Sequence, residues 1–192
     1  EISACLVGSE MCIRDSPGYR PCGFHSSYEA AAWCVLSQRT RVPVAARLRR
    51  DLIVAHGNDG VFPAPDALIR AIDAEELDLP GRKPEYLRAV AKAALTGLLN
   101  GPRLRTMPEE SARRDLLTVT GIGPFATDLI LIRGANAQDI LPRAERRLYA
   151  EISYQYGPDS VLEEVAERWR PFRSWAAVHL RALREQRTRE MG

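Results

Sequence analysis

Apolar residues recur along this chain at helical spacing, interrupted by short polar breaks rich in proline and glycine. That spacing lines one face of a helix, and no stretch shows the strict alternation of a half-buried strand. The clearest run is Leu87, Val90, Ala91, Ala94, Leu95 and Leu98 behind Pro84, a long helix stopped by Asn100-Gly101-Pro102. Upstream, Ser26 and Glu29 form a capping box for a helix through Ala30, Trp33, Val35 and Leu36 to about Gln38. Pro43 opens a second helix that ends near His56-Gly57, and a short one runs from Asp66 to Ile72. Asp73 with Glu76 predicts a further short helix. Downstream, helices are predicted from Ala144 to Tyr154, from an Asp159 cap through Val161, Leu162, Val165 and Trp169, and along Trp175, Val178, Ala182 and Leu183. His179 shares the apolar face of that last helix and reads as a packed core histidine. The helix is expected to dissolve into a solvated polar run holding Arg184, Arg187 and Arg189. The sequence therefore predicts an all-α protein of about nine or ten helices joined by short loops.

One stretch organises the rest. Pro108-Glu109-Glu110 starts a helix through Leu116 and Leu117, Thr118-Val119-Thr120-Gly121-Ile122-Gly123 forms a turn, and Pro124 opens a second apolar helix that stops at Gly134. Gly121 and Gly123 can take positive φ and leave backbone N–H groups uncovered, and Ile122 is a plug for the crevice between the helices. Such a hairpin can bind phosphate without side-chain charge. The same pattern also suits a plain corner between two helices.

Composition narrows the classes. The 192 residues are 45% hydrophobic, enough to fill a core in one domain or one domain with two small lobes. No apolar run approaches the roughly 20 residues of a membrane span, and no membrane partner is expected. A net charge of +2 gives no global basic field. Among 27 basic residues only Lys83 and Lys92 are lysines; arginine suits bidentate phosphate contacts, and genomic base composition produces the same bias. Cys5, Cys12, Cys22 and Cys34 contain no CxxC pair, which argues against a disulfide framework or zinc site and for a reducing cytoplasm. The run from Cys5 to Ser16 resembles a translated sequencing adapter, and residues 1–17 are expected to be a non-native or disordered tail.

Four motifs in order resemble a known family. They are Tyr28-Glu29-Ala30-Ala31-Ala32-Trp33-Cys34-Val35-Leu36-Ser37-Gln38, Leu79-Pro80-Gly81-Arg82-Lys83-Pro84-Glu85-Tyr86-Leu87, the Gly-Ile-Gly-Pro hairpin followed by Asp139-Ile140-Leu141-Pro142, and Ala166-Glu167-Arg168-Trp169-Arg170-Pro171-Phe172-Arg173-Ser174-Trp175. Across residues 18–186 the chain resembles the helix–hairpin–helix (HhH-GPD) DNA glycosylase superfamily, and most of all its 3-methyladenine DNA glycosylase II branch. The resemblance implies a two-lobed all-α fold over residues 18–192, with the hairpin at about 108–134. One lobe is expected to hold residues 18–40 and the C-terminal helices, the other residues 41–140. It further implies a monomeric, monofunctional glycosylase of base excision repair, cytoplasmic and associated with the nucleoid. Such an enzyme hydrolyses the N-glycosidic bond of a flipped damaged base, here an alkylated one, in double-stranded DNA. A non-catalytic DNA-binding or damage-sensing protein is the alternative.

The same resemblance assigns roles to residues. The family's catalytic Asp corresponds to Glu145, one methylene longer, and a carboxylate displaced by about 1 Å can cost about 100-fold in rate. An acid in a first helical turn is also ordinary. Phe125 matches an aromatic of the base pocket, and equally a core phenylalanine; Trp33 completes that pocket, while Leu129 and Arg181 stand where the family carries bulky rings. Gln38 and Arg39 match the loop that fills the gap left by the flipped base, or are simply loop polarity. Thr120, Gly121, Ile122, Gly123 and Arg82 are the remaining candidate DNA contacts. Bifunctional relatives carry a Lys at the position of Phe125, so no strand-nicking lyase is expected. No organic cofactor or iron–sulfur cluster is implied, only K+ or Na+ at the backbone carbonyls of Thr118, Thr120 and Ile122.

Overall fold

In the computed structural model the structure describes residues 23–188. The adapter-like run, Cys5, Cys12, Cys22 and Arg189 lie outside them. The helices are α1 (Ser27–Ser37), α2 (Val42–His56), α3 (Pro65–Asp73), α4 (Lys83–Leu95), α5 (Gly101–Thr106), α6 (Glu109–Leu117), α7 (Pro124–Leu129), α8 (Arg146–Tyr156), α9 (Leu162–Glu167) and α10 (Arg173–Thr188). A π-helical turn, Ile130–Gly134, continues α7. Among the described residues no strand forms, only an isolated bridge between Asn58 and Val61. No helix of the described residues is long and apolar enough to cross a membrane.

The chain divides into two compact units. Gly23–Asn136 form one; the described residues from Ala137 onward belong to the other. In the first, α1 is central, with Ala30, Ala31, Ala32, Val35 and Leu36 fully buried. A helix apolar on nearly every side has to be surrounded, and α1 packs against α2, α4, α7 and the π turn. The expected lobe boundary is thereby corrected: α1 lies with the hairpin, in the same unit as residues 41–136. Gly134 allows the close approach, because a Cβ there would stand 2.8 Å from both Ala30 Cβ and Ser27 Cα. In the second unit Leu141, Leu148, Ile152, Leu162, Ala166, Trp169, Ala177 and Leu180 form the core.

Several local expectations need correction. Ser26 caps α1 by accepting from Glu29 N–H at 3.1 Å, but the Glu29 carboxylate turns to Arg49, so only half of the capping box forms. Asp73 and Glu76 start no helix. Asp73 ends α3 and pairs with Arg88, Glu76 faces His56, and Glu75 adopts φ +54°. The few residues before Pro80 offer too little propagation to offset helix nucleation. Asn100-Gly101-Pro102 ends one segment and begins α5, whose first turn Asn100 caps through Arg103 N–H at 2.9 Å. Asp159 does not cap α9; Val161 holds that position without a side-chain bond. The last helix does not dissolve at Arg184. It runs to Thr188 because Arg187 reaches the fully buried Glu151 at 2.7 Å and lies 3.7 Å over the Tyr154 ring. His179 is buried.

Candidate active site

The hairpin is built as a braced turn. Gly121 has φ +92°, and a Cβ on it would meet Tyr86 Cγ at 2.5 Å. Both backbone sign and space therefore demand glycine there. Gly123 differs from the expectation: its φ is −108°, it is the N-cap of α7, and a Cβ there would meet nothing within 4 Å. No side chain caps α7. Ile122 is buried, as a plug should be, while Thr118 and Thr120 are exposed.

Two residues that sequence reasoning passed over hold this turn. Tyr86 underlies Gly121, and Lys83 is buried with its ammonium 2.9 Å from each of the carbonyls of Val35, Leu36 and Gln38. Lys83 thus satisfies the C-terminal carbonyls of α1 that the helix itself leaves open, and burial pulls its pKa below the ordinary lysine value. Gln38 then donates from Nε2 to Gly121 O at 2.6 Å. Arg39, next to it, is exposed and held at φ +51°, a costly conformation for a residue with a side chain. The signal for both missed residues was present in the Leu79–Leu87 motif, where Lys83 and Tyr86 stand one helical turn apart. Arg82 of the same motif makes a bidentate pair with Glu85 at 2.7 and 2.6 Å and lies 4.9 Å over the Tyr86 ring. Phe125 is half-exposed, Leu129 is part-buried, and Trp33 is part-buried with its ring 6.4 Å from Phe24. Asp128 is buried and bound by Arg113, which also bonds Glu109 at 2.9 Å, so it clamps α6 to α7.

In the second unit the link 139–142 is pinned to the start of α10. Arg173 donates to Asp139 Oδ1 at 2.7 Å and to the Asp139 carbonyl at 2.6 Å, and Arg170 reaches Oδ2 at 2.8 Å. Ser174 Oγ accepts from Ile140 N–H at 2.9 Å and donates to Ala137 O at 2.7 Å. These bonds give the C-terminal motif its physical meaning: it fixes the approach to α8. Glu145 is the N-cap of α8, with Oε1 accepting from Arg147 N–H at 3.1 Å and Oε2 bound by Arg181. Arg181, the other residue predicted in this unit, thus lies directly on the predicted acid.

An all-helical chain with a braced glycine hairpin and an acidic cap after a pinned extended link defines a narrow class. No family model matches the chain. It is 25% identical over 187 residues to the DNA-3-methyladenine glycosylase of Bacillus subtilis, covering 89% of this chain and 61% of that protein. To DNA-3-methyladenine glycosylase 2 of Escherichia coli it is 28% identical over 173 residues, covering 85% and 60%. The fold is similar to that of the Schizosaccharomyces pombe 3-methyladenine DNA glycosylase in complex with abasic DNA, with a TM-score of 0.71, 22% identity and coverage of 93% and 94%. The chain spans about three fifths of the length of these two curated relatives. The chain is thus similar in sequence to DNA-3-methyladenine glycosylases, and its fold is similar to that of a solved member of that group.

Proposed function

We propose that this protein is a monofunctional DNA glycosylase that hydrolyses the N-glycosidic bond of a flipped, alkylated base in double-stranded DNA. The observation that carries the reading is Glu145 at the N-terminus of α8, immediately after the pinned link 139–142. The similarity to 3-methyladenine glycosylases over more than four fifths of the chain supports it. The base must leave the stack before its glycosidic bond can be reached. The N–H groups at the start of α7, which no side chain caps, grip a phosphate of the duplex, and Arg39, exposed on its strained backbone, fills the vacated gap. Glu145 stabilises the oxocarbenium-like charge on the deoxyribose or directs a water. The C1′–N bond breaks with its electrons going to the base, water oxygen bonds to C1′, and a proton returns to the departing base. With Phe125 where a lyase carries lysine, no Schiff base forms and the strand stays intact. The carbonyls of Thr118, Thr120 and Ile122 are hard oxygen donors from one turn and suit K+ or Na+, which would supply positive charge beside the phosphate. The Gly121 carbonyl, bonded to Gln38, stands outside that set.

The test is base release from alkylated duplex DNA by wild type, Glu145→Gln and Glu145→Asp. Release by wild type and a loss of at least about 100-fold in the Gln variant are expected. Wild-type release unaffected by Glu145→Gln would remove Glu145 from the chemistry. A second reading, a DNA-binding or damage-sensing protein without turnover, is favoured by one observation: Arg181 occupies the Glu145 carboxylate. Salt-sensitive duplex binding without release by wild type or by Glu145→Asp would establish it.

A further inference from the structure

The Glu145 carboxylate does not stand as a lone negative charge. Oε1 is spent on the α8 N-terminus, and Oε2 is held by Arg181 Nη1. Arg181 is held in turn by Glu185, one helical turn along α10, through Nε at 3.0 Å and Nη2 at 2.8 Å. Arg147 lies 3.9 Å from the same Glu185 oxygen. Two acids and two arginines therefore balance locally. Glu145 keeps 15% of its side-chain exposure and Arg181 29%, so solvent screens the pair less than it would a surface pair. The planar guanidinium, fixed on one edge by Glu185, presents its other edge to Glu145 in a defined orientation.

We propose that Arg181 is a specificity-determining residue that makes this site select neutral damaged bases over cationic ones. The inference rests on the glycosylase reading of Glu145. A bare carboxylate attracts a positively charged N-alkylated purine; a carboxylate already paired with arginine does not, and the guanidinium opposes a second cation nearby. A neutral lesion, such as an etheno or deaminated purine, meets no such opposition. An aromatic face would have added attraction for a cation; beside Glu145 stands the positive charge of Arg181 instead.

The decisive experiment reads charge at the site without needing turnover. Duplexes carrying the cationic base 7-methylguanine on a cleavage-resistant 2′-fluoroarabinose are titrated against duplexes carrying its neutral isostere 7-methyl-7-deazaguanine, using wild type, Arg181→Gln, Arg181→Lys and Glu185→Gln. Wild type should show little preference for the cation. Arg181→Gln should raise that preference about tenfold, and Arg181→Lys, which keeps the charge but not the fork, should restore part of the wild-type ratio. Glu185→Gln, which leaves Arg181 wholly to Glu145, should move the ratio further toward the neutral analogue. In parallel, wild type should release an etheno-adenine faster than a 7-methylguanine, with the order narrowed or reversed in Arg181→Gln. A strong wild-type preference for the cationic base overturns the proposal, as does a ratio that none of the variants moves while abasic duplex is still bound tightly. If wild type binds abasic duplex no better than undamaged DNA, the glycosylase reading itself fails and takes this inference with it.

Discussion

Two glycines of the hairpin look alike in sequence and do different work. Gly121 is fixed by φ +92° and by the Tyr86 ring, whereas Gly123 has ordinary dihedrals and open space in front of it. Gly121→Ala should therefore cost roughly 2–4 kcal/mol of stability, from left-handed strain and a forced shift of Tyr86. Gly123→Ala should cost less than about 1 kcal/mol, yet place a methyl group where the proposed phosphate approaches. Thermal melts and duplex titrations of both variants check the contrast; equal stability losses would contradict it. Sequence alone marks the pair but does not separate its members, because the distinction comes from Tyr86, which only the fold brings under the turn. Glu145 shows the same limit. Its position after Asp139-Ile140-Leu141-Pro142 is readable, but its partner Arg181 comes from α10, and no local pattern joins them.

Helices were legible wherever an apolar face was long. α1, α4 and α10 follow from residues spaced one helical turn apart, α2 from Pro43 and Gly57 at its ends, and α1 declares its central place by being apolar almost all round. The misses are short segments whose ends are decided by partners elsewhere: α5, the abortive turn at Asp73 and Glu76, and the extension of α10 by Arg187 and Glu151. The α6–α7 clamp belongs to the same group, since Asp128 takes its meaning from Arg113 on the neighbouring helix. Arg113 and Asp128 keep only 13% and 5% of their side-chain exposure, so removing one partner leaves a buried charge. Arg113→Met should destabilise the protein by about 3 kcal/mol, several times what a surface pair contributes. Double substitution with Asp128→Asn should recover part of that loss in a denaturant melt. A double variant no better than Arg113→Met would mean that the cost is lost packing and not an orphaned carboxylate.

Across the whole molecule, charge sets how the proposed DNA grip can work. The net charge is +2, and many arginines are already committed: Arg49 to Glu29, Arg82 to Glu85, Arg113 to Asp128, Arg173 to Asp139 and Arg187 to Glu151. A net charge of +2 gives no global positive field, so the proposed binding is expected to rest on local contacts. Backbone N–H groups at the start of α7 are prominent among these, and they hold phosphate through dipoles without a full charge. Each phosphate neutralised by a cationic side chain adds about −0.9 to the slope of log affinity against log salt. The expected slope corresponds to about two or three phosphates, well short of the roughly six to ten of an arginine-led interface. Gly123→Ala should lower affinity at every salt concentration and leave the slope where it was, because what it obstructs carries no counterion to release. A steep wild-type slope would instead mean that the arginine pairs open on DNA, and the paired state of Glu145 would then be a property of the free protein alone.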